Sequence, residues 1–547
     1  MGLFLNSNAP YEGYREILRD TYFVDKSYFL NELIPYFEKR NRYCCITRPR
    51  RFGKTVMANM VRAFFGKTDR KDGIFDALEI SKTQDYRTHL NRHDVIYIDF
   101  SKTPKNCKSY EQYIARIQDG IVKDLSEAYA DFHLSGDESV WDALQIIYEK
   151  TENKFLFVMD EWDAVFHMPF VTAEEQREYL LFLKNMLKDQ PYVEFAYMTG
   201  ILPIAKYSGG SELNMFVEYD MVTSEKFSEY FGFSDDEVDR IYKIYQKETT
   251  GPKFSRDELR IWYDGYYTAK GIRLYNPRSV VLALTDNQLR NYWTSSGPYD
   301  ELFYYIRNNV KDVRDDLALM VSGERVAAKT GEFSAISMEI NSREQIYSAM
   351  VVYGLLTSEK GEVMIPNREL MGQFETMLRK EKDLGYVYRL ARESQRMLQA
   401  TLAGDTQTMS EILEFAHNTE TPLFNYNHET ELSAIVNLVY LAARDDYRVE
   451  REDKAGIGYV DFIFYPLRDR TGDCIILELK VDSTPEKAIQ QIRDRNYMLK
   501  FQKKMGETPR YTGRILLVGI GYNRKDKVHR CLVEIVQNPY FRTTMQR

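Results

Sequence analysis

Two groups of residues in this chain have the types and spacing of phosphate chemistry. The first is Gly53-Lys54-Thr55, preceded by the apolar run Tyr43–Thr47 and followed by apolar residues at helical spacing, Val56, Met57, Met60, Val61, Phe64 and Phe65. The pattern reads as strand, loop and helix. A helix N-terminus presents unpaired N–H groups and about half a positive charge, so it attracts an anion. A Lys and a hydroxyl in its first turn then meet a phosphate and the Mg²⁺ that accompanies it. The loop Arg48-Pro49-Arg50-Arg51-Phe52 adds three cations. In the pattern G-x-x-x-x-G-K-[ST] the first Gly falls on Arg48, so the strict motif is not met. A second element supports it: the apolar run Phe155–Met159 ends in Asp160-Glu161, an arrangement that holds Mg²⁺ through the first acid and polarises a water through the second. A third run, Val193–Met198, ends at Thr199, a polar side chain placed to sense a γ-phosphate. The second group lies near the C-terminus. Asp461 sits in the run Tyr459–Tyr465, and Glu478 and Lys480 sit in Cys474–Lys480. Side chains alternate along a strand, so Glu478 and Lys480 share a face. Two carboxylates on adjacent strands can hold Mg²⁺ against a phosphodiester, and the neighbouring Lys orients or deprotonates a water.

The elements that must position these residues follow from periodicity. Val95–Phe100 is a further strand, and Tyr110–Ala130 and Val140–Lys150 are amphipathic helices. Strands alternating with helices predict a parallel sheet with helices on both faces, its ligand site beyond the carboxyl ends of the strands. Residues 14–40 read as a helix-rich lead-in. Beyond about residue 251 the aromatics of Trp262–Tyr267 and Tyr292-Trp293 predict a helical lid or an interdomain seam, in which they are core. Gln345–Leu356 followed by Ser358–Pro366 reads as helix then hairpin, the outline of a winged helix. A helix through Leu432, Ile435, Val436 and Val439 leads to a strand at Tyr447–Glu450 and on to the Asp461 and Glu478 strands. The expected domains are 1–250, 251–415 and 416–547.

The chain has 547 residues, 44% hydrophobic and 29% charged, with a net charge of −8. That composition is of an ordinary globular protein and excludes a basic coat for nucleic acid over the whole surface. The charge is uneven. Arg493 to Arg547 holds thirteen Lys/Arg against four Asp/Glu, a balance of +9, and reads as a basic tail. A second basic stretch, Lys39 to Lys54, has seven cations and no acid. No apolar run reaches the roughly 18 residues of a membrane span and no secretory leader is evident, so a cytoplasmic protein without membrane attachment is expected. Five scattered cysteines, Cys44, Cys45, Cys107, Cys474 and Cys531, argue against structural zinc and a disulfide framework.

The stretch Arg48–Thr55 resembles the phosphate loop of the AAA-ATPase-like family of bacterial proteins, in which an Arg at the Arg48 position is normal. Tyr22-Phe23-Val24-Asp25-Lys26, Asp160-Glu161-Trp162-Asp163, Thr199–Ile204, Phe231-Gly232-Phe233, Trp262–Tyr266 and Tyr275-Asn276-Pro277 match the same pattern, over roughly residues 10 to 300. The resemblance implies a P-loop NTPase fold that binds ATP and Mg²⁺ through Arg48, Pro49, Arg50, Arg51, Phe52, Gly53, Lys54, Thr55, Asp160 and Thr199. In it Thr55 and Asp160 attend the metal and Glu161 is catalytic. The Asp461, Glu478, Lys480 pattern resembles the PD-(D/E)XK nuclease superfamily, an α/β restriction-endonuclease-like fold. Carried over, Asp461 and Glu478 are metal ligands and Lys480 the catalytic lysine. Glu429 or Glu431 is the accessory acid, and Gln491, followed by Tyr497, resembles the helix Gln of the RecB-like branch. The expected function is an ATPase coupled to a metal-dependent nuclease acting on nucleic acid, DNA in preference to RNA, in defence or control of mobile elements. The alternative is a nucleotide-switched interaction protein whose nuclease-like domain binds without cutting. The basic loop Arg48, Arg50 and Arg51 either supplies an arginine to a neighbour's nucleotide in a homo-oligomer or contacts its own phosphates.

Overall fold

The computed structural model of the protein describes residues 2–134, 136–204, 212–293, 310–330, 342–380, 382–418, 429–455, 458–467, 471–495, 497 and 511–536. The chain divides into two compact units, Met1–Leu302 with Ala327–Leu370, and Phe303–Val326 with Met371–Arg547.

The first unit is built on five strands, β1 (Tyr43–Thr47), β2 (Asp94–Asp99), β3 (Phe155–Asp160), β4 (Val193–Gly200) and β5 (Val217–Tyr219), in the order β2-β3-β4-β1-β5. Every neighbouring pair is parallel. Strands β1 and β3 are buried along their whole length, which is why they read as unbroken apolar runs rather than as alternation. Helices Lys54–Phe65, Tyr110–Ala128, Val140–Thr151 and Ala173–Leu187 connect them. The last three start where Ser109, Ser139 and Thr172 each accept a hydrogen bond from the third residue of the helix, replacing one of the partners that the first turn lacks. Between β4 and β1 the register brings Thr199 beside Ile46. This order sets the ends of β1, β3 and β4 side by side.

The remainder of this unit has its own core of Phe233, Ile241, Tyr245, Leu259, Tyr263 and Tyr275, so these aromatics are packing residues. Two short strands, β6 (Tyr266–Tyr267) and β7 (Arg273–Leu274), pair antiparallel. After β8 (Val326–Ala327) come the helix Arg343–Val352, β9 (Thr357–Glu359) and β10 (Glu362–Met364), the last two forming an antiparallel hairpin. The helix-then-hairpin outline expected from the sequence is present.

The second unit carries a mixed sheet, β11 (Tyr447–Ala455), β12 (Gly458–Pro466), β13 (Cys474–Val481), β14 (Ile515–Asn523) and β15 (Val528–Val536), in that spatial order. Only β13 and β14 run parallel. Their crossover contains the helix Pro485–Asp494, as a parallel pair requires. Gly519 of β14 permits that crossover to lie close: a Cβ there would come 2.3 Å from the Pro485 carbonyl oxygen. The reading of Arg493–Arg547 as a basic tail is corrected here, because β14 is a buried interior strand and β15 pairs along its length. Several cations of this segment are paired: Arg493 with Glu534, Arg514 with Asp473, Arg524 with Asp482. Residues 498–510 and 537–547, which carry other cations of that segment, lie outside the described residues.

Among the described residues no helix is long and apolar enough to cross a membrane. All five cysteines are free thiols.

Candidate active sites

The loop after β1 is held in shape from both ends. Gly53 adopts φ 85°, a left-handed conformation a side chain would resist, and starts the helix Lys54–Phe65 with no side-chain cap. The first-turn N–H groups are thereby left for an anion. The Lys54 ammonium donates to the carbonyls of Arg48 and Pro49, both at 3.0 Å, closing the loop on itself. Burial lowers its pKa, and the charges of Glu161, Asp163 and Asp160 act in the opposite direction.

Arg48, which stands where the strict motif has Gly, is 1% exposed. Its guanidinium donates to the carbonyls of Thr47 (2.7 Å) and Tyr219 (2.6 Å) and lies over the Phe231 ring. The side chain is thus committed to tying the loop to β5 and to the Phe231 ring, while the Arg48 carbonyl accepts from Lys54. Arg51, at φ 70°, donates to the Tyr292 carbonyl. Phe52 is buried edge-on against Tyr266, ring centroids 4.9 Å apart. Arg50 lowers the pKa of Glu161 through its charge.

At the end of β3, Asp160 is 1% exposed and the Thr55 hydroxyl acts on its carboxyl. Burial, with the neighbouring Glu161, pushes the Asp160 pKa up to about 7. One carboxylate oxygen accepts the Glu161 N–H at 3.1 Å and the other, Oδ2, has no hydrogen-bond partner. A buried acid oxygen without a partner is costly, and a cation is what such an oxygen fits. Glu161 follows in a left-handed conformation (φ 52°) that turns the chain sharply after the strand. Burial raises its pKa, opposed by Lys54. Thr199 at the end of β4 is fully buried and its hydroxyl also lacks a partner. Thus Lys54, Thr55, Asp160, Glu161 and Thr199 stand together at the carboxyl ends of three adjacent strands, with Arg50, Arg51 and Phe52 on the loop between them.

Two residues of this site had no role assigned from the sequence. Asp163, buried, accepts the N–H groups of Ile201 (2.9 Å) and Leu202 (2.7 Å), fixing the chain two and three residues beyond Thr199. Its place two residues beyond Glu161 was the available signal. Glu369 accepts from the backbone of Tyr292 (2.7 Å) and Trp293 (2.9 Å) and from the Ser279 hydroxyl (3.0 Å). It thereby holds the peptide that receives Arg51, over a sequence distance that leaves no local signal.

In the second unit, Phe462 faces Leu477 across β12 and β13, so Asp461 stands one step on, beside Glu478. Asp461 accepts the Leu479 N–H at 2.7 Å. Glu478 is 2% exposed; its Oε1 accepts from Lys480 Nζ at 3.2 Å and from the Gln491 amide, and its Oε2 has no hydrogen-bond partner. Burial, then the Asp461 charge, raises the Glu478 pKa, and Lys480 draws it down. Two acids, a lysine and a glutamine from three elements therefore meet as the sequence pattern expected. Glu429 and Glu431 begin the helix Glu429–Val439, but their side chains lie outside the described residues. Among the described residues no group of three or more His, Cys, Asp or Glu is arranged around a point; each site offers a smaller acid set with one unpartnered buried oxygen. That donor chemistry, hard carboxylate oxygen, fits Mg²⁺.

Fold and sites together define an ATPase-like module joined to a nuclease-like domain. Residues 11–208 match the family described as "Predicted AAA-ATPase", and residues 430–528 match the PD-(D/E)XK nuclease superfamily. A curated relative, an uncharacterized protein in the vnfD 5′ region of Azotobacter chroococcum mcd 1, is 25% identical over 283 residues, 51% of each chain. The chain thus spans about half the length of the curated relative it matches. Among solved structures, a Walker-type ATPase of Pyrococcus abyssi is similar at 13% identity and TM-score 0.32, over 64% of this chain and 94% of that one. The ORC2 protein of Aeropyrum pernix is similar at 9% identity and TM-score 0.31, over 66% and 93%.

Proposed function

We propose that the protein hydrolyses ATP in its first unit and cleaves nucleic acid phosphodiesters in its second, the nucleotide state governing the cleavage. The observation that carries the reading is the paired architecture: at each site a buried carboxylate keeps one oxygen without a partner while a lysine's charge acts on the same acids.

Mg²⁺, held by Asp160 with Thr55 in one site and by Asp461 with Glu478 in the other, would neutralise phosphate charge and acidify a bound water. In the first site the amides after Gly53 and the Lys54 ammonium bind the phosphates, for which Lys54 exchanges its two carbonyl partners. Glu161, its pKa raised, is the base that accepts a proton from the attacking water. Thr199, kept in place by the Asp163 clamp on Ile201 and Leu202, offers a hydroxyl to the terminal phosphate. In the second site Gln491 and Lys480 orient Glu478 through its Oε1, and the Leu479 N–H orients Asp461. Lys480 is the group that positions the attacking water and stabilises the charge that develops on the phosphate.

The division 1–250, 251–415 and 416–547 is the functional partition we propose, with DNA in preference to RNA as substrate, a cytoplasmic setting, and a role in defence or control of mobile elements. Purified protein incubated with Mg²⁺ or Mn²⁺, with and without ATP, on single- and double-stranded DNA and RNA tests it. Cleavage that depends on Asp461 and metal supports the enzyme. Nucleotide-dependent binding with no cleavage under any of these conditions replaces it with a switched binding protein.

A further inference from the structure

We propose that a cavity of the first unit, at the end of the sheet away from the phosphate loop, is a binding site for a small aliphatic polyamine. The cavity has a volume of about 700 Å³, within the range of small-molecule sites. Three pieces of chain line it: the segment around residues 2–6, residues 67–69 after the phosphate-loop helix, and the carboxyl end of the helix Tyr110–Ala128. Asp94, at the amino end of β2, lines it too. The opposite end of that strand, Asp99, is in register with Asp160, so the length of β2 separates the cavity from the nucleotide site.

The charges in the cavity do not balance. Asp94 is fully engaged: its Oδ1 accepts from the Asn6 amide (2.8 Å), and its Oδ2 from Lys67 Nζ (2.6 Å), the Asn153 amide (3.0 Å) and the Tyr129 hydroxyl (3.1 Å). Lys67 is thereby spent, and it is the only cation among the described residues that line the cavity. Asp69, Asp124 and Glu127 remain. Asp124 is 7% exposed; its Oδ2 accepts the N–H groups of Phe4 (2.6 Å) and Leu5 (3.0 Å), and its Oδ1 accepts no hydrogen bond among the described residues. A carboxylate oxygen on so buried a side chain is costly to leave without a partner. Glu127 comes no nearer than 3.9 Å to Lys123, and both are well exposed, a pairing that solvent screens. The helix Tyr110–Ala128 ends here with no basic residue in its last turn, so its terminal carbonyls add negative partial charge from a second, independent source.

The distribution of that charge selects the ligand. Among the described residues no three His, Cys, Asp or Glu converge on a point, which disfavours a bare metal ion. Acids set apart along a cavity suit ammonium groups set apart along a chain, each making charge-assisted hydrogen bonds. Leu5 and Ala128 in the lining give the intervening methylenes apolar surface.

The test uses the full chain without nucleotide or added metal, titrated by calorimetry with spermidine, putrescine and Mg²⁺ at one fixed ionic strength. Spermidine should bind at a single saturable site, putrescine should compete for it more weakly, and Mg²⁺ should not displace it. Asp124→Asn, which keeps an oxygen for the Phe4 and Leu5 N–H groups, should weaken spermidine binding about tenfold. The double variant Asp69→Asn/Glu127→Gln, at exposed positions, should weaken it about fivefold and decides the matter if Asp124→Asn does not fold. Asp160→Asn and Asp461→Ala, at the other acidic sites of the chain, should leave the affinity at the wild-type value. Absence of saturable spermidine binding would overturn the proposal, as would wild-type affinity in both cavity variants. Loss of binding in Asp160→Asn or Asp461→Ala would overturn it by placing the polyamine at a phosphate-chemistry site, and one-for-one displacement by Mg²⁺ would reduce it to plain charge attraction.

Discussion

Replacing Glu369 by Gln should leave stability unchanged in acid and raise it above neutral pH. Glu369 is 1% exposed, with one oxygen accepting from Tyr292, Trp293 and Ser279 and the other without a hydrogen-bond partner. Burial raises its pKa from 4.5 to about 7, against the pull of those donors and of Arg51. Between these two values the folded chain keeps a proton that the unfolded chain has released, so stability falls as pH rises through the window. The interval from 4.5 to about 7 corresponds to a loss of about 3 kcal/mol, complete above pH 7. Gln keeps an oxygen for the three donors and cannot ionise. Urea unfolding of wild type and Glu369→Gln, followed by tryptophan fluorescence at pH 5 and pH 8, reads the difference: similar midpoints at pH 5, and a higher midpoint for Glu369→Gln at pH 8. Parallel pH profiles, or a variant less stable than wild type at pH 8, would refute the argument that this carboxyl is protonated in the folded state near neutrality.

Lys54→Ala should reduce ATP turnover by about 10²–10³, the cost of losing one preorganised charge at the phosphates, and near-wild-type phosphate release would dismiss the phosphate-loop assignment. Glu161→Gln should bind ATP with Mg²⁺ and hydrolyse it slowly, whereas Asp160→Asn should also lose Mg²⁺-dependent affinity; identical affinities and rates in calorimetry and turnover assays would mean the two acids do not divide the work. Asp461→Ala and Lys480→Ala should each abolish metal-dependent cleavage and spare ATP hydrolysis, and cleavage that survives Asp461→Ala would remove the second site from the mechanism.

Much of this molecule was legible in the sequence because its chemistry is carried by local patterns. Parallel strands buried on both faces are apolar along nearly all their length, so β1, β3 and, apart from Glu194, β4 announced themselves, and with them Lys54, Asp160 and Thr199 at their ends. The period of two in β13 placed Glu478 and Lys480 on one face, and their hydrogen bond follows from it. What periodicity cannot encode is which distant groups pair. The guanidinium of Arg48 belongs to a basic stretch in the sequence, but burial leaves it no water, so it takes the carbonyls of Thr47 and Tyr219 and becomes a strut of the loop. Arg51 finds the peptide of Tyr292 and Glu369 secures that peptide from a third segment. The excess of cations after Arg493 hid the apolar run Ile515–Ile520, which the sheet buries between β13 and β15. Gln491 reaches Glu478 because its helix, between β13 and β14, packs on that sheet, and Gly519 leaves room for it to do so. Residue types and their spacing thus determined what chemistry each segment could perform. Only the tertiary structure decided which charges are consumed in holding the fold, because that depends on burial and on pairing across hundreds of residues.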